Sequence, residues 1–245
     1  MLPAATSFGV GVNIRGFLET SFLDWDGKVS SIVFLPGCNF KCPYCSNWLL
    51  VHEPGSLPEV KLDKIDHFLT ERKDFIDGVV ITGGEPTIHP WLPELIKHFK
   101  DMGLLVKLDT NGTNPKMLQR LVTRDSRLVD YVAMDIKAPL NEKYDIACGT
   151  KVNLAEIKES IKLIMASGID HEFRTTVIPN LLGEREIEEI AKTIAGAKKY
   201  ALQQFVPAHS MIKEMQSLDP HPAETILALA ETAKKYVKAT IVRGV

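Results

Sequence analysis

The segment Gly37-Cys-Asn-Phe-Lys-Cys-Pro-Tyr-Cys45 places cysteines at positions 38, 42 and 45, and the fourth cysteine, Cys148, lies far downstream. Thiols at this spacing serve three chemistries. A structural zinc site takes four ligands, commonly as two paired knuckles. Here the nearby sequence adds only His67 and His89, at some distance, so a Cys₃His site stays open as one alternative. A redox pair could use Cys42 and Cys45, but it normally opens a helix in a smaller fold and leaves Cys38 without a task. A four-iron cube held by three thiolates leaves one iron without a protein ligand and free to take an external chelator. The same logic separates open catalytic metal sites from closed structural ones.

The remainder of the chain must position that loop. It has 245 residues, 45% hydrophobic and 24% charged, the composition of one ordinary globular domain. A chain of this size buries roughly 70–75% of the surface its unfolded form exposes, so it needs neither disulfides nor metals as staples. The formal net charge is −2 and the two signs are interspersed, so neither a basic surface for a phosphate backbone nor a nucleic acid partner is indicated. The N-terminal MLPAATSFGVGVNIRG lacks a basic region followed by an apolar core, and no apolar run approaches the roughly 20 residues that span a bilayer. The expectation is a cytoplasmic protein with reduced cysteines and no membrane partner.

Short apolar runs read as strands at Val29–Leu35, Gly78–Thr82, Leu104–Asp109, Leu128–Met134, His171–Ile178 and Ala201–Val206. Between them, apolar residues recur at helical spacing: Leu62, Ile65, Phe68 and Leu69; then Trp91, Leu92, Leu95, Ile96 and Phe99; then Leu154, Ile157, Ile161 and Ile164. Pro90 reads as a first-turn proline, and Asn153 with Glu156 as a helix cap. Six alternations of strand and helix predict parallel strands joined by right-handed crossovers, in an open doubly wound sheet or a full or partial α/β barrel. There is no low-complexity linker and no repeat, so one domain is expected.

In such folds working residues gather at the carboxyl ends of strands. Polar residues do collect there: Thr82-Gly83-Gly84-Glu85-Pro86, Asp109-Thr-Asn-Gly112, Asp135 with Lys137, Arg174, and Pro207-Ala-His209. Each alone has a bland reading as a turn, a cap or a surface charge. Several strand ends around one cysteine loop predict a site on one rim.

The pairing of Cys38-Asn-Phe-Lys-Cys42-Pro-Tyr44-Cys45 with Thr82-Gly-Gly-Glu-Pro86 resembles the two leading motifs of the radical S-adenosylmethionine enzymes. The resemblance runs over nearly the whole chain and is closest to the glycyl-radical-enzyme activases, in particular the activator of anaerobic ribonucleoside-triphosphate reductase. Phe17-Leu-Glu-Thr-Ser-Phe-Leu-Asp24-Trp-Asp-Gly27 resembles the leader of that group, and Asp109–Gly112, Met134–Lys137, Arg174–Pro179 and Pro207–His209 resemble its later motifs. No second cysteine cluster follows, which disfavours the subfamilies with auxiliary clusters.

The resemblance implies a partial (β/α)₆ TIM-like barrel with a leader at 1–28, a barrel core at 29–210 and a C-terminal helix and tail at 211–245. It implies a [4Fe–4S] cluster on Cys38, Cys42 and Cys45, with S-adenosylmethionine chelating the open iron. Tyr44 would lie against the adenine, and Gly83, Gly84 and Glu85 would face the amino group. Asp109, Asp135, Lys137 and His209 would meet the ribose and methionine portions, and Asn47 and Arg174 complete the implied contacts. The implied reaction is reductive cleavage to a 5′-deoxyadenosyl radical that abstracts hydrogen from a glycine of a partner enzyme, with a flavodoxin or ferredoxin as electron donor. Apolar barrel walls are expected around the radical, and three strand-end carboxylates beside the cationic cofactor. Ser46 departs from the usual histidine and Asp26 from the usual proline of the group. Either departure would fit a radical enzyme with a different small-molecule or macromolecular substrate. A zinc-stabilised binding module is the non-enzymatic alternative. His67, His89, His98, His171 and His221 read as surface or satisfied histidines, Cys148 as a small buried hydrophobe, Trp91 and Phe99 as core, and the lysines near 197–199 and 234–238 as solvated helix faces.

Overall fold

The structure is a computed structural model that describes residues 11–123 and 127–245. Residues 1–10, which belong to the expected leader, and residues 124–126 lie outside the described residues. The six expected strands form as β2 (Ser30–Leu35), β3 (Gly78–Gly83), β4 (Leu105–Thr110), β5 (Tyr131–Asp135), β6 (Asp170–Val177) and β7 (Tyr200–Gln204). Two further strands flank them: β1 (Gly16–Ser21), antiparallel to β2, and β8 (Thr240–Arg243), parallel to β7. The spatial order follows the chain order from β1 to β8, and every pairing after the first is parallel. Strands β1 and β8 are the two ends of this sheet, which makes it an open, partial TIM-like barrel. Both carry a weak hydrophobic signal because edge strands are short and half solvated. Leu18 in β1 is exposed, and all four residues of β8 are only partly buried.

Helices pack on the outer face. The periodic segments become α2 (Leu62–Glu71), α3 (Leu92–Asp101) and α6 (Leu154–Ala166), following the short α1 (Trp48–His52). Helices α4 (Pro115–Val122) and α5 (Glu142–Cys148) lie between α3 and α6 in sequence, and α7 (Glu184–Thr193), α8 (Lys213–Gln216) and α9 (Ala223–Ala233) complete the set. Alternation along each strand divides its side chains between two faces. Val33, Val79, Ile81, Val106, Leu108, Val132 and Met134 join Leu95, Ile96, Phe99, Ile157 and Ile161 in the main core between sheet and helices. Phe99 is buried there, and Trp91 packs against this core at its edge, stacked on His89 at 4.6 Å. Pro90 precedes α3 rather than opening it, since Trp91 is the cap residue and Pro93 occupies the first turn. Asn153 does cap α6, accepting from the Ala155 N–H at 3.2 Å.

The inner face carries a smaller apolar cluster of Trp25, Ile32 and Val80, with Phe34, Leu105 and Tyr131 packed against it. Trp25 comes from the β1–β2 turn. That turn folds under the strands at their amino ends, and the Lys107 ammonium on β4 donates to the Asp24 carbonyl. Asp26, at the position where the resembled leader has proline, accepts from Lys199 at 2.6 Å and from Arg243 of β8 at 3.2 Å. Arg243 also grips Glu172 of β6 through two bonds of 2.9 Å. The two ends of the open sheet are thus tied by charge beneath the barrel. Lys199 is part of this tie and Lys198 pairs with Asp170, both just ahead of β7, so these lysines are not a helix face. Among the described residues no helix is long and apolar enough to cross a membrane.

Candidate functional site

The cysteine loop leaves β2 through Pro36 and Gly37, whose φ of 78° needs glycine. It is pinned on every side. Gly84 N–H donates to the Leu35 carbonyl at 2.9 Å and Glu85 N–H to the Gly37 carbonyl at 2.8 Å, so the end of β3 lies directly on the loop. His89 donates from Nε2 to the Pro36 carbonyl at 2.8 Å, which gives that histidine a structural task. Lys41 N–H donates to the Cys148 carbonyl at 2.8 Å, and Met211 N–H to the Pro43 carbonyl at 3.2 Å. A side chain at Gly84 would run into the Gly37 carbonyl oxygen, and one at Gly83, where φ is 121°, into the Leu35 carbonyl oxygen. The paired glycines therefore permit a close backbone approach that no other residue allows.

A cavity of about 450 Å³ opens beneath this loop and runs down the barrel as far as Asp24. Cys38, Cys42 and Cys45 line it, together with Tyr44, Asn47, Gly83 and Gly84. Asp109, Asp135, Lys137, Arg174 and His209 line it as well, so one cavity gathers every predicted site residue except Glu85. Asn47 sits at the start of α1 and donates from Nδ2 to the Gly83 carbonyl at 2.9 Å, linking the cysteine loop to the glycine pair. His209 ends a short turn after β7 and is exposed at the mouth. The Tyr44 hydroxyl is buried and makes no hydrogen bond among the described residues.

Glu85 is placed elsewhere. Its carboxylate is fully buried behind the loop and accepts from the Thr87 N–H at 3.0 Å, the Thr87 hydroxyl, the Thr110 hydroxyl at 2.7 Å and the Asn111 N–H at 2.6 Å. Burial raises its pKa, against these four donors. The side chain fastens the ends of β3 and β4 to each other instead of facing the cavity.

The cavity wall is apolar in part, as expected, at Phe34, Phe40, Val51, Phe205 and Val206, but it also carries a cluster of charged side chains. Arg174 on β6 donates from Nε to Asp135 Oδ1 and from Nη1 to Asp109 Oδ2, both at 2.8 Å. Lys137 reaches Asp135 at 2.9 Å, and Lys107 reaches Asp109 at 3.2 Å. Burial acts to raise the Asp135 carboxyl, but Arg174 and Lys137 outweigh it and hold it well below the usual carboxylate range. Burial likewise opposes ionisation of Asp109, and Arg174 with Lys107 prevails there too. Three cations thus face two carboxylates, so the site is not the anionic cradle that the three carboxylates Glu85, Asp109 and Asp135 led one to expect. The pairing instead keeps Asp109 and Asp135 ionised, with lone pairs left to accept from hydroxyl groups.

Several lining residues escaped the sequence reading. Thr176 and Gln203 are adjacent in the β6–β7 register and line the cavity, with no side-chain hydrogen bond among the described residues. Asn111, which the sequence reading held within the Asp109–Gly112 strand end without a role of its own, lines it beside Cys38. Only alternation from Arg174, two residues before Thr176, could have marked Thr176 in advance. Cys148 is buried as expected, but it lies against the cysteine loop, where its thiol helps hold Cys42 down to about 7. Burial pushes Cys38 up to about 12.

Among the described residues, no three histidine, cysteine, aspartate or glutamate side chains converge closely enough to hold a single metal ion. The three loop thiols border one cavity without meeting at one point. That arrangement does not fit a mononuclear zinc site. It fits a cube, in which each of the three thiolates would take a different iron and one iron would be left for an external ligand.

Comparison with known proteins agrees. Residues 32–195 match the family model of the Radical SAM superfamily. Over 240 residues, 95% of this chain and 96% of the other, the sequence is 37% identical to a Methanocaldococcus jannaschii protein named "putative glycyl-radical enzyme activating enzyme". It is 24% identical over 192 residues to the pyruvate formate-lyase-activating enzyme of Clostridium pasteurianum, covering 75% of this chain and 76% of that one. A crystal structure of a radical SAM methyltransferase from Sphaerobacter thermophilus superposes with a TM-score of 0.69 over 92% of this chain and 69% of that one. At 14% identity, that likeness speaks for the fold alone.

Proposed function

Since the chain belongs to the radical SAM superfamily, whose enzymes use a [4Fe–4S] cluster and S-adenosylmethionine, we propose that it activates a glycyl radical enzyme, the anaerobic ribonucleoside-triphosphate reductase. The observation that carries this reading is the gathering of Cys38, Cys42 and Cys45 on the cavity that also holds the other rim residues, in a chain that aligns over 95% of its length with a relative whose name is a glycyl-radical enzyme activating enzyme with no partner specified. Cys38, Cys42 and Cys45 hold the cluster. When bound, it supplies the single electron that cleaves the C5′–S bond of S-adenosylmethionine.

The remaining roles belong to the chain. Gly83 and Gly84 offer backbone close to the loop, where the cofactor's amino group can approach. Asp109 and Asp135, held ionised by Arg174 and Lys137, accept from ribose hydroxyls, and Tyr44 with His209 closes around the adenosyl portion. The fixed charges are organised before the cofactor arrives, so little reorganisation is required as it binds. The turn carrying Trp25 packs under the amino ends of the strands, opposite the cysteine side. The single domain assigned to residues 1–245 and a reduced cytoplasmic setting with flavodoxin or ferredoxin belong to the same proposal.

A second reading, a small polar substrate in place of a protein glycine, is favoured by Thr176 and Gln203 and by the reach of the cavity to Asp24. One experiment separates them. Anaerobically reconstituted protein is reduced with dithionite in the presence of S-adenosylmethionine, and 5′-deoxyadenosine is quantified with and without the reductase. Nucleoside formation with a glycyl radical signal in the reductase supports the activase. Nucleoside formation with no such signal transfers the case to the small substrate, and no nucleoside from cluster-loaded protein defeats both.

A further inference from the structure

We propose that Asn111 is a positioning residue for the cluster: its side-chain amide donates an N–H···S hydrogen bond to the Cys38 thiolate and raises the reduction potential of the cluster. The inference rests on the assignment of Cys38 as a cluster ligand and is independent of the partner enzyme.

The orientation of Asn111 follows from its neighbours. Its Oδ1 accepts from the Thr113 N–H at 3.0 Å and from the Thr113 hydroxyl at 2.7 Å. A backbone N–H can only donate, so the oxygen must lie on that side and the NH₂ group on the other. The two hydrogens of Nδ2 then have one acceptor each, Asn39 Oδ1 at 2.9 Å and Cys38 Sγ at 3.8 Å. Asn39 in turn donates from Nδ2 to the Thr113 hydroxyl oxygen at 2.7 Å, which closes the ring. Every donor in the ring meets an acceptor, and no alternative flip satisfies all of them. The backbone of Asn111 is anchored as well, because its N–H donates to Glu85, whose carboxylate is fully buried. Asn111 itself is 5% exposed, so little of its surface is open to competing water.

Cys38 is the thiol with the most donors. Phe40 N–H also approaches its sulfur, at 3.3 Å. Reduction adds an electron to the cluster and its thiolates, and a fixed donor on a ligand sulfur stabilises the more negative state. The amide therefore moves the potential upward, toward what an external donor can deliver. Glu85 enters this scheme through Asn111: the acidic residue of the glycine motif orients the loop that reaches the cluster ligand.

The test is an EPR-monitored redox titration of reconstituted wild type, Asn111→Ala and Thr113→Val, with iron and sulfide content measured alongside. Asn111→Ala is expected to carry a full cluster whose midpoint lies lower by about a tenfold change in the reduction equilibrium, or about 59 mV for one electron. Thr113→Val releases the amide oxygen from the hydroxyl and is expected to shift the midpoint in the same direction by less. A loaded Asn111→Ala protein with the wild-type midpoint, or a higher one, overturns the proposal. If Asn111→Ala does not load iron, Thr113→Val decides: an unchanged midpoint, or loss of its cluster as well, overturns the proposal by leaving Asn111 a purely structural role. Wild-type protein that takes up no cluster would sink the cysteine assignment itself, an outcome distinct from an unchanged midpoint.

Discussion

Replacing Arg174 with methionine keeps most of the side-chain volume and removes the one group that holds Asp109 and Asp135 together, each at 2.8 Å. The side chains of Arg174 and Asp109 are 12% and 11% exposed and that of Asp135 is 24% exposed, so solvent offers little in return. Breaking a buried pair by deleting one partner costs about 3–5 kcal/mol. Lys107 and Lys137 remain beside the two carboxylates, which places the expected loss near 3 kcal/mol, a large share of a typical total of about 5–15 kcal/mol. The pH dependence identifies the cause. In the wild type both carboxyls sit below their usual range, so their contribution is present above the unfolded value near 3.9 and is lost as pH falls through the folded values. In Arg174→Met the buried carboxyls rise above the unfolded value, and the variant should become more stable as pH falls from 7 toward 4.5, narrowing the gap. Urea titrations of the metal-free proteins at both pH values, followed by far-UV circular dichroism, measure this directly. A deficit below about 1 kcal/mol, or one equal at the two pH values, would refute the claim that uncompensated buried charge is what the arginine prevents.

Gly84→Ala should leave a folded protein that takes up much less iron, because the added methyl meets the Gly37 carbonyl oxygen and pushes the cysteine loop away from β3; normal iron content would show that the close approach is dispensable. Glu85→Gln puts an amide group where four donors converge and should cost about 1–3 kcal/mol for the unsatisfied groups, read as a lower urea midpoint with an unchanged slope. Alanine at Cys38, Cys42 or Cys45 should abolish formation of 5′-deoxyadenosine, whereas Cys148→Ala should keep most of it; equal loss in all four would mean that the ligand set is wrong.

The parts of this fold legible in the sequence were those with strong local patterns. Strands β2 and β3 are runs rich in Val, Ile and Leu, β4 to β7 each put buried apolar residues on the main core, and α3 and α6 repeat apolar residues at helical spacing. Strand β1 carries Leu18 on the solvent side and β8 is four residues long, so neither shows the pattern a buried strand must have. The rim was legible because parallel strands bring their carboxyl ends to one side, which places Cys38, Gly83, Asp109 and Asp135 on one cavity from topology alone. What topology cannot reveal is where a side chain turns once it reaches the rim. Glu85 and Asp109 both stand at strand ends, yet one points behind the loop and the other into the barrel, because Thr87, Thr110 and Asn111 together offer the first four donors while Arg174 reaches the second. Partners remote in sequence decide such cases.

The same contrast explains why a barrel built around a reactive radical can have charged walls. A charged side chain is a hazard to radical control only if it is mobile or brings water with it, and the ionic residues here are immobilised in pairs. Lys107 is held by the Asp24 carbonyl and Asp109, Arg174 by two carboxylates, and Arg243 by Glu172 and Asp26. Because β1 and β8 are not paired with each other, the sheet has no ladder to close its cross-section, and the pairs of Asp26 with Lys199 and Arg243 link the β1–β2 turn to β8 and the start of β7 instead. Asp26 occupies the position where a proline is usual in the resembled leader, and a proline could not accept from Lys199 and Arg243. The departure therefore belongs to the closure of this barrel beneath the Trp25 plug, remote from the rim where a substrate would be chosen.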